Sequence, residues 1–402
     1  MKLVERHVIK SNNEYFAHLL EMTHLSKNLY NQANYFIRKE FTTNNNWLRY
    51  GEINKICRNQ KEYNDYKAMP AAQVAQQVLM LLDKNWVSFF RSIKDWKNHP
   101  TKYLGRPKLP KYLPKNGYNV LTFTNQVCKL KDNMIYFPKS MKGFTIQTKI
   151  VNNSRFKKFN QVRIIPRRSY LIIEVVYEVN DVDKKQNDNW MSIDIGLDNL
   201  ATITSNRFNP VLIDGKGLKS INKYYNSRKS FLQSRAKKCN KLDWTNNLEK
   251  LTTKRNFKIN DYMHKASKMT IDLANMYNVS KIIIGHNKNQ KQKSKLKNFT
   301  QVPYDSFIHK ITYKANLQGI DVILYEESYT SGTSFLDGEE PVKENYNINR
   351  RLKRGLLKSN NGRFINSDVN ASLQIAKKVS CDVNFDQQVK GLVFNPVKIY
   401  VT

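Results

Sequence analysis

The sequence predicts a multidomain protein in which an α/β domain follows a small β-barrel that carries an inserted helical domain. Strand patterns at residues 1–12 and 116–182 predict the barrel, and helical periodicity between them predicts the insert, 13–115. Strands and helices alternate over residues 190–378, which is typical of a mixed α/β sheet. The length of 402 residues is enough for these domains and a C-terminal tail, 379–402.

The predicted helical insert ends in a basic, proline-rich segment at residues 101–115. Prolines exclude a helix and favour extended backbone, and Arg106 and Lys108 lie among them. Such a segment suits a path along a phosphate backbone, and a stiff linker between domains is the alternative. Gln73 and Gln77 lie off the apolar stripe of the preceding helix. Their amides can read base edges, or they are ordinary helix surface.

The charge balance indicates a polyanionic partner. The 68 lysines and arginines against 33 acidic residues give a net charge of +35, a self-repulsion that bound nucleic acid would offset. No stretch approaches the ~20 apolar residues of a transmembrane helix, and residues 1–6 lack the apolar core of a signal peptide. We therefore expect a cytoplasmic protein without a membrane partner. The four cysteines show no Cys-x-x-Cys spacing, so no zinc is expected.

Two aspartates lie at the ends of predicted elements. Asp194 follows an apolar strand pattern, and Asp368 comes just ahead of a helical pattern. Hard divalent cations prefer carboxylate oxygens, and two such ions about 3.5–4 Å apart catalyse phosphodiester hydrolysis. A single aspartate at a strand end is more often a turn or cap residue. The two contexts together, in a strongly basic chain, favour a metal-dependent phosphodiesterase.

Short runs around the two aspartates match a known family. They are Asp194-Ile195-Gly196-Leu197, Asn199-Leu200-Ala201-Thr202, Tyr329-Thr330-Ser331 and Asp368-Val369-Asn370. In these runs the chain resembles the RuvC-like nuclease domain of the TnpB proteins of bacterial insertion sequences, which are RNA-guided DNA endonucleases related to type V CRISPR effectors. The resemblance implies a guide RNA and target double-stranded DNA as partners, and Mg²⁺ as cofactor, with two ions expected and Mn²⁺ as a substitute. It also implies action at the bacterial nucleoid.

The same resemblance extends to basic segments of the chain. Lys254, Arg255 and Lys265 lie in a long helical, basic pattern over residues 218–277, which we expect to line a nucleic-acid channel. We expect the protein to act as a monomer.

Two departures from the family pattern concern metal ligands. The family's second catalytic motif usually ends a strand with Ile-Glu-Asp-Leu, whereas Gly285 ends that strand here, and glycine binds no metal. The next predicted strand runs into Glu326 and Glu327, as in some relatives with glycine at the usual position. We predict that one of the two is the third ligand, and the alternative is that both only offset nearby lysines. Residues 331–367, where the family usually has two Cys-x-x-Cys pairs, contain no cysteine or histidine.

Three functions remain open at this point. The first is an RNA-guided, metal-dependent DNA endonuclease in which Asp194, Asp368 and Glu326 or Glu327 bind the metal. The second is an RNA-guided DNA-binding regulator that no longer cleaves, which Gly285 favours. The third is a structure-selective nuclease that uses no guide.

Overall fold

The computed structural model describes residues 1–62, 65–287, 300–353, 355–379 and 394–401. These form two compact units, Met1–Asp181 and Val182–Thr402. The predicted tail, 379–402, therefore lies outside the described residues except for 379 and 394–401. Across the described ranges, no helix is long and apolar enough to cross a membrane.

The helices of the first unit surround a core of apolar side chains that includes Leu29, Leu82 and Trp86, each of which is fully buried. The helices are α1 (Phe16–Asn44), α2 (Tyr50–Asn59), α3 (Asp65–Ala68) and α4 (Ala72–Asn98). The apolar residues of α4 recur at Val74, Val78 and Leu82, so one face of the helix is buried.

Two open antiparallel sheets complete the first unit. The first sheet has the order β1-β7-β6-β2 and the second the order β3-β4-β5. The strands are β1 (Lys2–Lys10), β2 (Leu121–Thr124), β3 (Lys129–Lys131), β4 (Met134–Tyr136), β5 (Thr145–Gln147), β6 (Phe156–Pro166) and β7 (Tyr170–Val179). The predicted strand regions thus form strands, but among the described residues the predicted barrel is two sheets instead of one closed ring of hydrogen bonds. The three-residue strands β3, β4 and β5 pair only with one another.

A six-stranded mixed sheet is the centre of the second unit, with the order β12-β11-β8-β9-β10-β16. Its strands are β8 (Trp190–Asp194), β9 (Asn199–Ser205), β10 (Val211–Asp214), β11 (Lys281–Gly285), β12 (Asp321–Tyr325) and β16 (Val397–Ile399). The helices are α5 (Lys216–Asn240), α6 (Asn246–Met276), α7 (Tyr304–Asn316) and α8 (Ser367–Val379). The long helical pattern at 218–277 is two helices, because Lys241 ends α5 in the left-handed region.

A small sheet of three short strands lies in the cysteine-free region 331–367. Its strands are β13 (Arg351–Lys353), β14 (Leu356–Lys358) and β15 (Phe364–Asn366), paired in that order. Buried Leu357 and Ile365 pack with Val369 of α8. An ion pair between Arg350 and Glu339 joins the start of this sheet to the preceding loop. Apolar packing and this ion pair therefore hold the small sheet in place.

Candidate active site

The candidate site lies where three parallel strands of the large sheet end. β8 pairs in parallel with β11, and β11 pairs in parallel with β12. Asp194 is the last residue of β8 and Gly285 the last of β11, while Glu326 and Glu327 directly follow β12. Because carboxyl ends of parallel strands meet at one edge of a sheet, these residues lie near one another.

Asp368 reaches the same region from a helix that packs on the sheet. It lies in the first turn of α8, where Asn366 Oδ1 caps the helix by accepting hydrogen bonds from the backbone N–H groups of Asp368 (2.9 Å) and Val369 (3.2 Å). One turn further on, the hydroxyl of Ser372 donates to the carbonyl of Ser192 on β8 at 3.0 Å. The side chain of Ser372 thus helps to fix the helix, and with it Asp368, against β8.

Two polar groups contact the Asp368 carboxylate. Asn199, the first residue of β9, donates from Nδ2 to Oδ2 at 2.9 Å. Arg351, the first residue of β13, places Nη2 3.5 Å from Oδ1 and donates to the neighbouring Ser367 hydroxyl at 3.1 Å. Asn199 belongs to one of the runs that match the family, and neither it nor Arg351 was predicted as a metal ligand. Arg351 belongs to a run of basic residues, and only the small sheet brings it there.

Gly285 and Glu327 occupy complementary space. A Cβ atom placed on Gly285 would lie 2.9 Å from Oε2 of Glu327 and 2.5 Å from Cδ1 of Ile375. Real Cβ atoms essentially never approach other heavy atoms that closely, so the Glu327 carboxylate uses room that exists because residue 285 has no side chain. The Glu327 carboxylate, which follows the neighbouring strand β12, therefore lies beside the position where a side chain of residue 285 would begin.

The two adjacent glutamates have different environments. Glu327 is half-buried, and burial raises the pKa of its carboxyl group. The neighbouring His286 lowers this pKa, and the charge of Glu326 raises it. Glu326 is exposed, and a hydrogen bond from Ser328 lowers the pKa of its carboxyl group. Lys378 Nζ lies 3.8 Å from Glu326 and donates to the carbonyl of Ser328 at 2.6 Å. Glu327 thus faces the sheet end, while Glu326 belongs to the surface.

Asp194 lies in a strongly negative environment. Burial raises the pKa of its carboxyl group well above 3.8, the charges of Glu327 and Asp368 raise it further, and the Arg351 guanidinium lowers it. Three carboxylates therefore interact here, with one nearby guanidinium as counter-charge. Sites that perturb pKa values in this way are frequently functional.

This set of donors fits a hard divalent cation, because it supplies carboxylate oxygens from three elements and an excess of negative charge. In the arrangement described, no three acidic, histidine or cysteine side chains within the described ranges stand close enough together to hold a metal ion. Arg351 instead provides the positive charge next to Asp368.

The remaining predicted contact residues have varied surroundings, and their nucleic-acid role stays a prediction. Lys254 is exposed on α6, and Lys265 is paired with Asp261 at 3.1 Å. Arg255 donates to Asn222 Oδ1 (2.6 and 2.9 Å) and to the Gln301 carbonyl (2.9 Å). These hydrogen bonds link Arg255 of α6 to α5 and to Gln301, which lies shortly before α7. A phosphate that bound Arg255 would have to replace them.

In the first unit, Arg106 and Lys108 are exposed. Gln73 is half-buried, and its Oε1 is buried with no hydrogen-bond partner among the described residues. Gln77 is half-buried and donates to the sulfur of Met80 at 3.5 Å. Neither glutamine is therefore a freely exposed amide on the helix surface.

Comparisons with known proteins agree with this architecture. The fold is that of a mixed α/β protein with carboxylates at one edge of its sheet, which is consistent with a RuvC-like nuclease fold. Residues 174–291 match the family model OrfB_IS605, a probable transposase, and residues 304–375 match the Cas12f1-like TNB domain. In these two segments the chain is thus similar to transposases of the OrfB_IS605 family and to Cas12f1-like proteins, in agreement with its motifs.

A solved structure shows the same fold. This structure, described as a complex of Cas12f1 with sgRNA and target DNA, aligns with a TM-score of 0.59 at 15% identity, covering 90% of this chain and 83% of the other. A second, a CRISPR-Cas12f ternary complex, aligns with a TM-score of 0.41 at 14% identity, covering 93% and 82%. No protein in the curated set matches the chain significantly.

Proposed function

We propose that the protein is an RNA-guided DNA endonuclease that depends on Mg²⁺ or Mn²⁺ and is associated with a transposable element. The observation that carries the proposal is the position of the Glu327 carboxylate, 2.9 Å from where a Gly285 side chain would begin. It supplies a third carboxylate to a site that otherwise has two. The similarity to TnpB-like and Cas12f1-like proteins supports the guided mode of action.

In this proposal Asp194, Glu327 and Asp368 hold the metal. A bound metal would supply Lewis acidity, which would favour activation of water and stabilise the leaving oxygen of a phosphodiester. Asn199 orients Asp368 through its hydrogen bond. Arg351 exchanges its contact with Asp368 for one with the non-bridging oxygens of the phosphate, where a guanidinium stabilises developing negative charge.

The charge distribution supports nucleic acid as the partner of the second unit. One face of α5 carries Tyr224, Arg228, Phe231 and Arg235, which recur at helical spacing and are all exposed. Aromatic rings that alternate with guanidinium groups suit contact with bases and phosphates. We assign guide RNA and target DNA as the partners of this surface, and a monomer as the functional form.

The alternative is an RNA-guided regulator that binds DNA without cutting it. Gly285, at the position where the family usually has a glutamate, favours it. The space that Gly285 leaves for Glu327 speaks against it, because a site without catalysis has no need of that accommodation.

The direct test uses the RNA that co-purifies with the full-length protein. We expect a discrete RNA, and cleavage of plasmid DNA that matches it when Mg²⁺ is present. The same reaction in EDTA, and a plasmid without the match, are the controls. Binding of matched DNA without strand breaks would support the regulator, and cleavage without any bound RNA would support a nuclease that uses no guide.

We expect that Gly285→Ala lowers the cleavage rate at least about tenfold. The added Cβ displaces the Glu327 carboxylate or Ile375, and overpacking of this kind costs about 1–3 kcal/mol of unfolding free energy. Gly51→Ala is the matched control, because nothing lies within 4 Å of a Cβ at that position. Cleavage kinetics and thermal unfolding measure both effects. A Gly285→Ala protein with wild-type cleavage would show that this space has no role.

A further inference from the structure

A cavity of about 570 Å³ lies in the first unit, between α1, α4 and the proline-rich segment. Its floor is made by the aromatic side chains of Phe41, Phe89 and Phe90, each half-buried. Its rim carries Arg106, Lys108 and Lys111, which are exposed. The volume lies within the range of pockets that bind small organic groups.

The floor of this cavity is built before any ligand arrives. Phe90 contacts Phe41 (5.6 Å between ring centroids) and Phe89 (5.1 Å), and Phe41 packs edge-on against Trp86 at 5.6 Å. Trp86 is fully buried, and its indole N–H donates to Asn34. The rings are thus held in fixed positions, which lowers the entropic cost of binding.

The wall formed by the proline-rich segment is also fixed. Asn34 and Arg38 both donate to the carbonyl of Pro110, at 3.0 and 2.8 Å. Asn31 adds a reciprocal pair with the backbone of Leu113, at 2.8 and 2.9 Å. The segment is therefore anchored along α1, and its cations are presented at a set distance from the aromatic floor.

Arg38 adds a further cation to the lining of the cavity. The guanidinium of Arg38 lines the cavity and lies over the Tyr112 ring at 4.8 Å. Its Nε is buried and makes no hydrogen bond with any described residue. The Arg38 guanidinium is thus held by the Tyr112 ring and the Pro110 carbonyl, and its charge adds to that of the cavity lining.

We propose that this cavity binds one unpaired nucleotide of a single strand, with the base against the phenylalanine floor and the phosphates at the basic rim. An aromatic floor stacks a base of any identity, and a rim of three cations without an acidic lining residue suits a phosphate. The inference rests on the proposed nucleic-acid function but not on cleavage.

The test measures binding of short single strands to the full-length protein in EDTA, so that cleavage plays no part. Each strand, as RNA and as DNA, carries one 2-aminopurine, and a matched strand carries an abasic site at that position. We expect quenching of 2-aminopurine fluorescence and about tenfold tighter binding of the strand with the base, in keeping with base–aromatic stacking. The RNA and DNA arms show which strand supplies the nucleotide.

Phe89→Leu keeps an apolar side chain and removes the ring, so the preference for the base should fall to about twofold or less. Tyr136→Leu, at an exposed aromatic residue on β4 outside the cavity, is the matched control and should keep the preference. Lys108→Gln should weaken binding of both strands equally, whereas Lys129→Gln, an exposed lysine on β3, should not.

Three results would overturn the proposal. The first is equal affinity of the wild-type protein for the base-containing and abasic strands. The second is that the wild-type protein is a dimer, and that Phe89→Leu dissociates the dimer but leaves the preference for the base unchanged. The cavity would then be an interface between two protein copies. If Phe89→Leu fails to fold, the decisive experiment is photocrosslinking of a 5-iodouridine strand to the wild-type protein. The third overturning result is a set of crosslinks that does not include residues 41, 89 and 90.

Discussion

Asp194→Asn is expected to abolish metal-dependent cleavage and to stabilise the metal-free protein. Loss of the central carboxylate removes a metal ligand, worth several kcal/mol of transition-state stabilisation and hence at least about a thousandfold in rate. The free energy of unfolding of the metal-free protein should rise instead. Burial and the nearby charges of Glu327 and Asp368 all disfavour the charged form of Asp194, and asparagine carries no charge. Removal of an unfavourable charge of this kind from an active site typically adds about 0.5–2 kcal/mol to the free energy of unfolding.

The stabilising effect should grow with pH. The pKa of Asp194 is raised in the folded protein above 3.8, so folding favours its protonated form. Stability from this group is thus complete below about pH 3.8 and is lost as pH rises toward the folded pKa. Asparagine has no charge to acquire, so the difference in melting temperature between variant and wild type should be larger at pH 8 than at pH 5 without metal.

Thermal melts with and without Mg²⁺ separate ligand loss from general damage. Mg²⁺ should raise the melting temperature of the wild-type protein, because a ligand that binds only the folded state stabilises it, and should not raise that of Asp194→Asn. Asp188→Asn, at an exposed residue ahead of β8, is the matched control and should behave as wild type. Guided cleavage by Asp194→Asn at the wild-type rate would contradict the proposed site.

The sequence was sufficient to locate the two aspartates because each lies in a local pattern. Asp194 ends an apolar strand and Asp368 begins a helix, and both features depend only on neighbouring residues. Arg351 could not be identified in the same way. It is one of several basic residues in a row, and its contact with Asp368 depends on the pairing of β13 with β14 and β15.

Strand pairing shows the same limit in the first unit. The strands near residues 2–10, 121–124 and 156–179 follow from alternation and turn residues. Their pairing does not, because it joins residues far apart in sequence: β1 pairs with β7, and β2 with β6. In the described part of this unit, the strands form two open sheets where the sequence predicts a barrel.

The choice between Glu326 and Glu327 depends on side-chain direction after a strand has ended. Alternation within β12 could not fix that direction, because the strand ends at Tyr325. What fixes it is contact with other elements. Lys378 of α8 donates to the carbonyl of Ser328 and lies near Glu326, while the absent side chain of Gly285 leaves room for Glu327.

Glu327→Gln should therefore reduce the cleavage rate at least about a hundredfold, whereas Glu326→Gln should stay within about threefold of wild type. Both substitutions remove one charge and keep the side-chain shape, and the two residues are adjacent, so each is the matched control for the other. Guided plasmid cleavage at saturating Mg²⁺ measures the rates, and thermal melts confirm folding.

The opposite result would be as informative. If Glu326→Gln abolished cleavage and Glu327→Gln did not, the third ligand would be the exposed residue, and Lys378 would have to release it when metal binds. If neither variant lost activity, the site would work with Asp194 and Asp368 alone. Loss of cleavage in Glu327→Gln alone is the result that agrees with the proposal. The Glu327 carboxylate is the one that lies 2.9 Å from where a Gly285 side chain would begin.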